Sequence, residues 1–343
     1  MLGLGVSLLA ILLAPALLRV CGANEDVFSE ALLYFRIYLL GLSFTVIYNS
    51  GAGILRALGD SSTPFLILSV TSVCNVALDL LFTGAWKLGI AGVAAATVIS
   101  QLISAYLIYR RISKRIGGRC IAAREMLKNG WSTVKEAMGI GFWAGMQSAI
   151  ICFSNLFVWR YINGFETLQV AGVSIGVRVD KFVNLPLKAY GMAMTTFVGQ
   201  NRGAGKRARI KSGIVSCLLL SLATWAFFGA VIYAFCPFIV KLFNTEQTVV
   251  ATAEEFLRTI VPFYCFMSVR EVLLGILRGF GKSTAPMLMT VLGMVGIRQL
   301  YLAVVMQPGA SIRYLFWCYP VGWFSAMTLL LVYTLWVRKR LTV

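Results

Sequence analysis

The chain has 343 residues, of which 59% are hydrophobic and only 13% are charged. One soluble core cannot hide that much apolar surface, so the composition excludes a soluble globular protein and predicts an all-α, polytopic membrane protein. The excess of 31 Lys and Arg over 13 Asp and Glu is compatible with nucleic-acid binding. The basic residues, however, lie in short segments between apolar stretches of membrane-crossing length. We therefore expect the lipid bilayer, and not nucleic acid, as the partner.

Ten apolar spans follow one another along the chain. Their approximate bounds are 2–19, 28–55, 64–85, 90–109, 138–160, 168–197, 210–236, 250–277, 286–306 and 314–337. An even number of spans places both termini on the same side of the membrane.

The basic residues predict which side that is. One set of loops and ends carries nineteen of them, including Arg56, the cluster in 110–135, the cluster in 202–211, and Arg278. The opposite set carries five, and the remaining seven lie within spans or near their ends. Because cytoplasmic loops are enriched in Lys and Arg, we expect both termini of this chain in the cytoplasm and the protein in the plasma (inner) membrane.

A twelve-residue stretch occurs twice, at 53–64 and 275–286, with a constant offset of 222 residues. Comparison without gaps back to Ala31 and Ala253 finds ten identical pairs in thirty-four positions. Each copy has an Arg near a helix end, a Gly turn, Ser or Thr, and Pro at the next helix start, which is typical of a short helix-to-helix connection. The repeat therefore predicts two related halves.

The longest charged connection, 110–137, falls between the two copies, and we interpret it as a cytoplasmic linker with a short amphipathic piece near 126–134. The halves are then 1–109, with four spans, and 138–343, with six. Subtracting the offset from the start of the second half gives a position about eighty residues before Met1. On this arithmetic we expect ten spans of an original twelve, with the first two helices missing by N-terminal truncation.

These features resemble the multidrug and toxic compound extrusion (MATE) family. The resemblance is carried by the paired Gly-Ile-Leu-Arg turns, by Asn75-x-x-x-Asp79 followed by the small-residue run 89–97, and by the string 199–206, Gly-Gln-Asn-Arg-Gly-Ala-Gly-Lys. It covers essentially the whole chain. It implies two six-helix lobes that give alternating access to a cavity, and exchange of organic, often cationic compounds for protons or sodium ions.

Three acids, Asp79, Asp180 and Glu271, lie inside the spans, where a charge costs about 2.5–3.5 kcal/mol. At about 1.5 Å per residue, Asp79, Thr97 and Tyr34 all lie about 9–12 Å below the outer ends of their spans. Asn75 lies one turn from Asp79 on the same helix face. The resemblance implies that Asn75, Asp79 and Thr97 form part of a cation site, with Tyr34 the matching tyrosine. The alternative is that they only hydrogen-bond neighbouring helices.

The other two acids have charged neighbours. Arg270 directly precedes Glu271 in the sequence, and Arg298 lies in the next predicted span. Glu271 therefore either faces a cavity or forms an internal salt bridge. For Asp180 we favour local pairing with Arg178 and Lys181 over an ion trap.

The helix predicted at 138–160 carries no acid, which argues against a sodium site there. Gln147, Met146 and Trp143 on this helix, with Met192 on the next, are candidate lining residues of a substrate cavity. Their alternative role is packing between helices or anchoring at the membrane interface.

The leading hypothesis is a monomeric secondary transporter that exports small organic compounds, with H⁺ or Na⁺ as the coupling ion and no other cofactor or bound metal. Arginines inside the spans (Arg36, Arg258, Arg270 and Arg298) leave open a flippase for an anionic lipid-linked sugar. A truncated protein that does not transport is the third alternative. The sequence shows neither a catalytic nucleophile paired with a general base nor a cluster of metal ligands, so nothing in it predicts an enzyme.

Overall fold

The structure is a computed structural model that describes residues 2–20, 25–115 and 130–337. Every regular element in these ranges is helical, which confirms the all-α fold class. The chain divides into two compact units, Met1–Met126 (unit 1) and Leu127–Val343 (unit 2).

The helices of unit 1 are arranged around one central helix. In chain order they are α1 (Leu2–Val20), α2 (Glu25–Leu40), α3 (Leu42–Ala57), α4 (Ser62–Asp79) and α5 (Gly89–Arg115). A π-helical segment, Leu80–Ala85, continues α4. The helices α2, α3 and α4 all pack against α5.

The core of unit 1 is small and lies where α3, α4 and α5 meet. It consists of Tyr48, Ala52, Leu55, Ile67 and Ile108. The hydroxyl of Tyr48 donates to the carbonyl oxygen of Pro64 at 2.8 Å, so the polar end of this buried ring is satisfied.

Unit 2 is larger. Its described α-helices are α6 (Trp131–Ile162), α7 (Thr167–Gly203), α8 (Arg207–Lys241), α9 (Gln247–Ile260), α10 (Tyr264–Gly279), α11 (Thr284–Val291), α12 (Arg298–Val305), α13 (Ile312–Phe316) and α14 (Cys318–Val337). A 3-10 turn, Val261–Phe263, joins α9 to α10, and a π-helical segment, Leu292–Ile297, joins α11 to α12.

The contact between α7 and α10 organises the core of unit 2. A Cβ atom added at Gly275 would lie 2.4 Å from the carbonyl oxygen of Gly191 and 3.0 Å from the Cβ of Met194. Only glycine permits this approach, and small residues serve the same purpose in other membrane helix pairs. Aromatic rings of Phe256, Tyr264, Phe316 and Trp323 fill the adjoining interior.

Seven of the described helices or helix pairs are long and apolar enough to cross a membrane, and α2 with α3 makes an eighth if this pair, bent by 41°, is one span. Eight of the ten predicted spans correspond to these. The apolar part of α1, Ser7–Arg19, is shorter than a full span. The remaining span, α7, is helical but falls outside the set because polar and charged residues interrupt it.

The repeated connection has the same geometry in both units. The N–H groups of Leu58, Gly59 and Asp60 donate to the carbonyls of Ile54, Arg56 and Leu55, and the residues 222 positions later repeat these three bonds. Gly59 and Gly281 both have a left-handed φ, +83° and +76°. The offset persists further along the chain, since Lys87 and Gly309 also share a positive φ.

Helices extend into the predicted linker 110–137 from both ends, because α5 runs to Arg115 and α6 begins at Trp131. Residues 116–129, which include the first four residues of the predicted amphipathic piece, lie outside the described residues.

Candidate functional site

Asp79 is the last residue of α4, at the point where the helix changes to π-helical geometry. Such π segments are frequent at functional sites because they redirect side chains. The hydroxyl of Thr83 donates to the backbone carbonyl of Asp79. The side chain is half-buried, and its Oδ1 is fully covered but has no hydrogen-bond partner.

Asn75 and Thr97 lie on the two helices that pack together at Asp79, α4 and α5. Asn75 is one turn earlier on α4, and its Nδ2 is also buried without a partner. Thr97 is on α5, which packs against α4, and its hydroxyl donates to the carbonyl of Val93 at 3.0 Å. The oxygen lone pairs of Thr97 remain available as ligands.

Tyr34 has a different setting. It lies on α2, stacks on Tyr38 with ring centroids 6.0 Å apart, and lines an open cavity of about 370 Å³. The other lining residues are Leu18, Glu30, Ala31, Phe35 and Ile90. Asp79 is not among the residues that line this cavity.

Gln101 is a residue that sequence reasoning missed. It lies one turn after Thr97 on α5, and its Oε1 is buried without a partner. A Cβ atom added at Gly41, the break between α2 and α3, would lie only 1.9 Å from this oxygen. The i, i+4 spacing from Thr97 could have identified Gln101.

Asn75, Asp79 and Gln101 hold all the buried side-chain polar atoms without a partner in the described part of unit 1. A group left in this state costs about 1–3 kcal/mol, so each of these side chains is suited to bind a ligand. Carboxylate, amide and hydroxyl oxygens are ligands for hard cations, and a proton on Asp79 would create a donor. The residues present therefore fit either Na⁺ or H⁺.

The two candidate acids of unit 2, Asp180 and Glu271, have partners. Asp180 is buried, and it accepts hydrogen bonds from Tyr264 Oη and Asn184 Nδ2, both at 2.7 Å. The expected pairing with Arg178 and Lys181 is not seen, because these two side chains are exposed while Asp180 points into the core.

The salt-bridge alternative describes Glu271, whose carboxylate pairs with the buried guanidinium of Arg270. Arg298 is 2% exposed and donates to the hydroxyl of Ser154 at 2.8 Å. No ion pair joins Glu271 and Arg298 in the described residues. The two charges therefore have separate partners in the interior of unit 2.

Four residues were predicted to line a cavity, and they lie on two helices of unit 2. Gln147 is buried and accepts from Arg278 at 3.2 Å, which ties α6 to α10. Trp143 packs against Phe142, and Met146 and Met192 are 38% and 58% exposed.

Comparison with known proteins places this geometry in context. The MatE family model matches residues 1–81 and 144–303. The chain is 30% identical over 281 residues to the probable multidrug resistance protein YpnP of Bacillus subtilis (strain 168), covering 82% of this chain and 62% of that protein. It is 27% identical to the probable multidrug resistance protein YoeA of the same strain, covering 100% of this chain and 76% of that protein.

Solved structures show the same fold. An outward-facing MATE transporter of the MOP superfamily matches with a TM-score of 0.89 at 20% identity, covering 99% of this chain and 76% of that one. A variant of the Vibrio cholerae MATE transporter VcmN matches with a TM-score of 0.88 at 22% identity, covering 98% and 77%. The chain thus spans between 62% and 77% of the length of these four proteins.

Proposed function

Because the chain belongs to the MatE family of multi-pass membrane transporters, we propose that it exports organic, often cationic and amphipathic compounds in exchange for H⁺ or Na⁺. The observation that carries this proposal is the half-buried Asp79, whose Oδ1 has no hydrogen-bond partner and which lies one helical turn from the equally unpaired amide nitrogen of Asn75. A carboxylate in this state is suited to bind and release a cation during a transport cycle.

The coupling ion binds at Asp79 in this proposal, with Asn75, Thr97 and Gln101 supplying further oxygens and Tyr34 acting from α2. One elementary charge crossing the membrane is worth about 2.3 kcal/mol per 100 mV. For an uncharged substrate, a single coupled ion could then support a roughly 50-fold concentration ratio at 100 mV. Binding at Asp79 would bias the equilibrium between two conformations.

The partners of the arginines support a cationic rather than an anionic substrate. Arg270 pairs with Glu271, Arg258 pairs with Glu254, and Arg298 is enclosed with Ser154. The first two guanidinium groups are neutralised by acids of unit 2, so they are poorly placed to bind a lipid-linked sugar phosphate. Arg298 has no described acid partner, and it and Arg36 are the arginines on which the anionic alternative depends.

The proposal also includes the division of the chain into lobes and its orientation in the membrane. Residues 1–109 and 138–343 would belong to the two lobes, with the linker at 110–137, and the protein would be a monomer in the plasma membrane with cytoplasmic termini. Met146 and Met192 are exposed and adaptable, which supports a role in substrate contact with Trp143 and Gln147.

The test is ethidium efflux from cells that express the chain and lack their own efflux pumps. We expect Asp79→Asn to reduce efflux to the level of cells without the protein, because the amide cannot exchange a proton and binds Na⁺ weakly. Asp79→Glu should retain part of the activity. Raising external pH or removing Na⁺ separately identifies the coupling ion.

Glu255→Gln is the matched control, since this acid pairs with the exposed Arg313 away from the site. Efflux by Asp79→Asn at the rate of the unsubstituted chain would disprove the coupling site. Absence of any efflux from the unsubstituted chain would disprove the transport activity proposed for it.

A further inference from the structure

Asp180 is the only fully buried acid among the residues that the structure describes. Tyr264, which lies 84 residues away, donates to its Oδ1, and Asn184, one helical turn away, donates to its Oδ2. Both carboxylate oxygens are therefore engaged, and both partners are neutral groups.

No ion pair in the described part of unit 2 includes Asp180. The described ion pairs of this unit are Arg258 with Glu254, Arg270 with Glu271 and Arg313 with Glu255. Burial without a counter-ion favours the protonated acid, whereas two donated hydrogen bonds favour the carboxylate. The two effects oppose each other, which makes Asp180 a candidate proton-binding group.

Aromatic residues pack around the tyrosine that bonds Asp180. Tyr264 packs against Trp323 with ring centroids 5.3 Å apart, and Trp323 is 6.1 Å from Tyr319. The charged and titratable groups on α7 and on the elements packed around it include Arg178, Lys181, Lys188 and Tyr190 of α7, Cys217 and Cys236 of α8, Glu254, Glu255 and Arg258 of α9, Tyr264, Cys265, Arg270, Glu271 and Arg278 of α10, Arg298 of α12, and Cys318 and Tyr319 of α14. The lysines are exposed, and Tyr264 is the one that touches the carboxylate.

Asn184 can serve both protonation states. Its Nδ2 donates to the ionised carboxylate, while its own Oδ1 is buried and has no partner. If Asp180 gains a proton, its O–H needs an acceptor, and a half-turn of the Asn184 amide presents this oxygen. The hydroxyl of Tyr264 can donate to Asp180 Oδ1 in either state, so one local rotation accommodates the proton.

We propose that Asp180, Asn184 and Tyr264 form a second proton-binding site, in unit 2, distinct from the site around Asp79. The proton binds at Asp180 Oδ2, the Asn184 amide reverses, and both changes are undone on release. Participation of this proton in substrate exchange rests on the proposed function, whereas its uptake and release do not.

The experiment is infrared difference spectroscopy of the purified chain between neutral and acidic pH, which detects the carbonyl band of a protonated carboxyl group. We expect a band that is absent in Asp180→Asn and shifted in Tyr264→Phe, because that variant loses one hydrogen bond to the acid. Glu255→Gln and Asp79→Asn should leave this band in place.

If every band persists in Asp180→Asn, the proposal is wrong. If Asp180→Asn does not fold, Tyr264→Phe decides, since an unshifted band also overturns the assignment. A change that follows Na⁺ concentration at constant pH, and not pH itself, would replace the proton with sodium and contradict the proposal. Since no substrate is added, a failure here is separate from a failure of ethidium efflux.

Discussion

At the scale of single residues, the two candidate ion-binding acids, Asp79 and Asp180, have the same spacing from an asparagine but different hydrogen-bonding environments. Asn75 with Asp79 and Asp180 with Asn184 are both acid and amide pairs one helical turn apart. Asp79 is left without a partner on Oδ1, whereas Asp180 has its two oxygens bonded. Tyr264 of α10 supplies one of the two bonds to Asp180 and Asn184 supplies the other, whereas the Asn75 amide nitrogen has no partner. The spacing alone therefore does not decide whether an acid is bonded.

Asp60, in the first copy of the repeated connection, supports a prediction about pH. The backbone N–H of Thr63, then its hydroxyl, and then Arg115 and Arg111 hold the pKa of this exposed-loop carboxyl below its ordinary value. Since the pKa is lower in the folded than in the unfolded chain, the carboxylate stabilises the fold above the unfolded value of about 3.9. This contribution is lost as pH falls through the folded pKa.

We therefore expect Asp60→Asn to lower the apparent melting temperature at neutral pH, and the difference from the unsubstituted protein to shrink on acidification. Thermal unfolding in detergent across a pH series measures it. Lys282→Gln, at the corresponding place in the second copy, is the control because it removes no carboxylate. A difference that stays constant from neutral to strongly acidic pH would contradict the capping role of Asp60.

At the scale of elements, the two copies of the connection share backbone geometry but are held by different side chains. The first is secured by Asp60 with Arg115 of α5 at 3.1 Å. In the second, Arg202 at the end of α7 donates to the carbonyl of Phe280 at 2.7 Å and lies over its ring. The Gly and Pro positions are retained because they set the turn, while the stabilising contact depends on which helix lies nearby.

The glycine that opens each copy gives a matched pair of variants. A Cβ at Gly275 would meet the backbone of Gly191 at 2.4 Å, but at Gly53 nothing lies within 4 Å. We expect Gly275→Ala to destabilise the protein by about 1–3 kcal/mol, because backbone cannot move aside as a side chain can. Gly53→Ala should be neutral or stabilising by up to about 1 kcal/mol.

Thermal unfolding of both variants in the same detergent checks this prediction. Equal melting temperatures for Gly275→Ala and Gly53→Ala would show that α7 and α10 are not in the close contact described.

At the scale of the whole molecule, two compact units carry one repeat, and the charge of the loops orients the chain. The basic residues lie overwhelmingly on one set of loops, nineteen against five. This asymmetry is the physical basis for the proposed cytoplasmic termini, since positively charged loops stay on the cytoplasmic side.

Reporter fusions test the orientation. We expect green fluorescent protein at the C-terminus of the chain to fluoresce and alkaline phosphatase at the same place to be inactive, because the phosphatase matures only outside the cytoplasm. Phosphatase fused after Asn244, in the connection between α8 and α9, should be active. The reverse pattern would place the termini outside.

Much of the fold was determined by the sequence itself. Long apolar runs can only be satisfied in a membrane as helices, and ten identical positions at one offset are enough to reveal a duplicated connection. The pairing of Asn75 with Asp79 follows from helical periodicity alone. These features depend on neighbours within a few residues or on simple composition, so they can be read without a structure.

Only the tertiary structure decided which distant groups meet. It placed Tyr264 against Asp180, set Gln101 over the helix break at Gly41, and gave Gly275 a close neighbour but not Gly53. Each of these contacts joins helices that are far apart in the chain. Such contacts depend on how helix faces pack, and the periodicity of one helix does not specify the face that its neighbour presents.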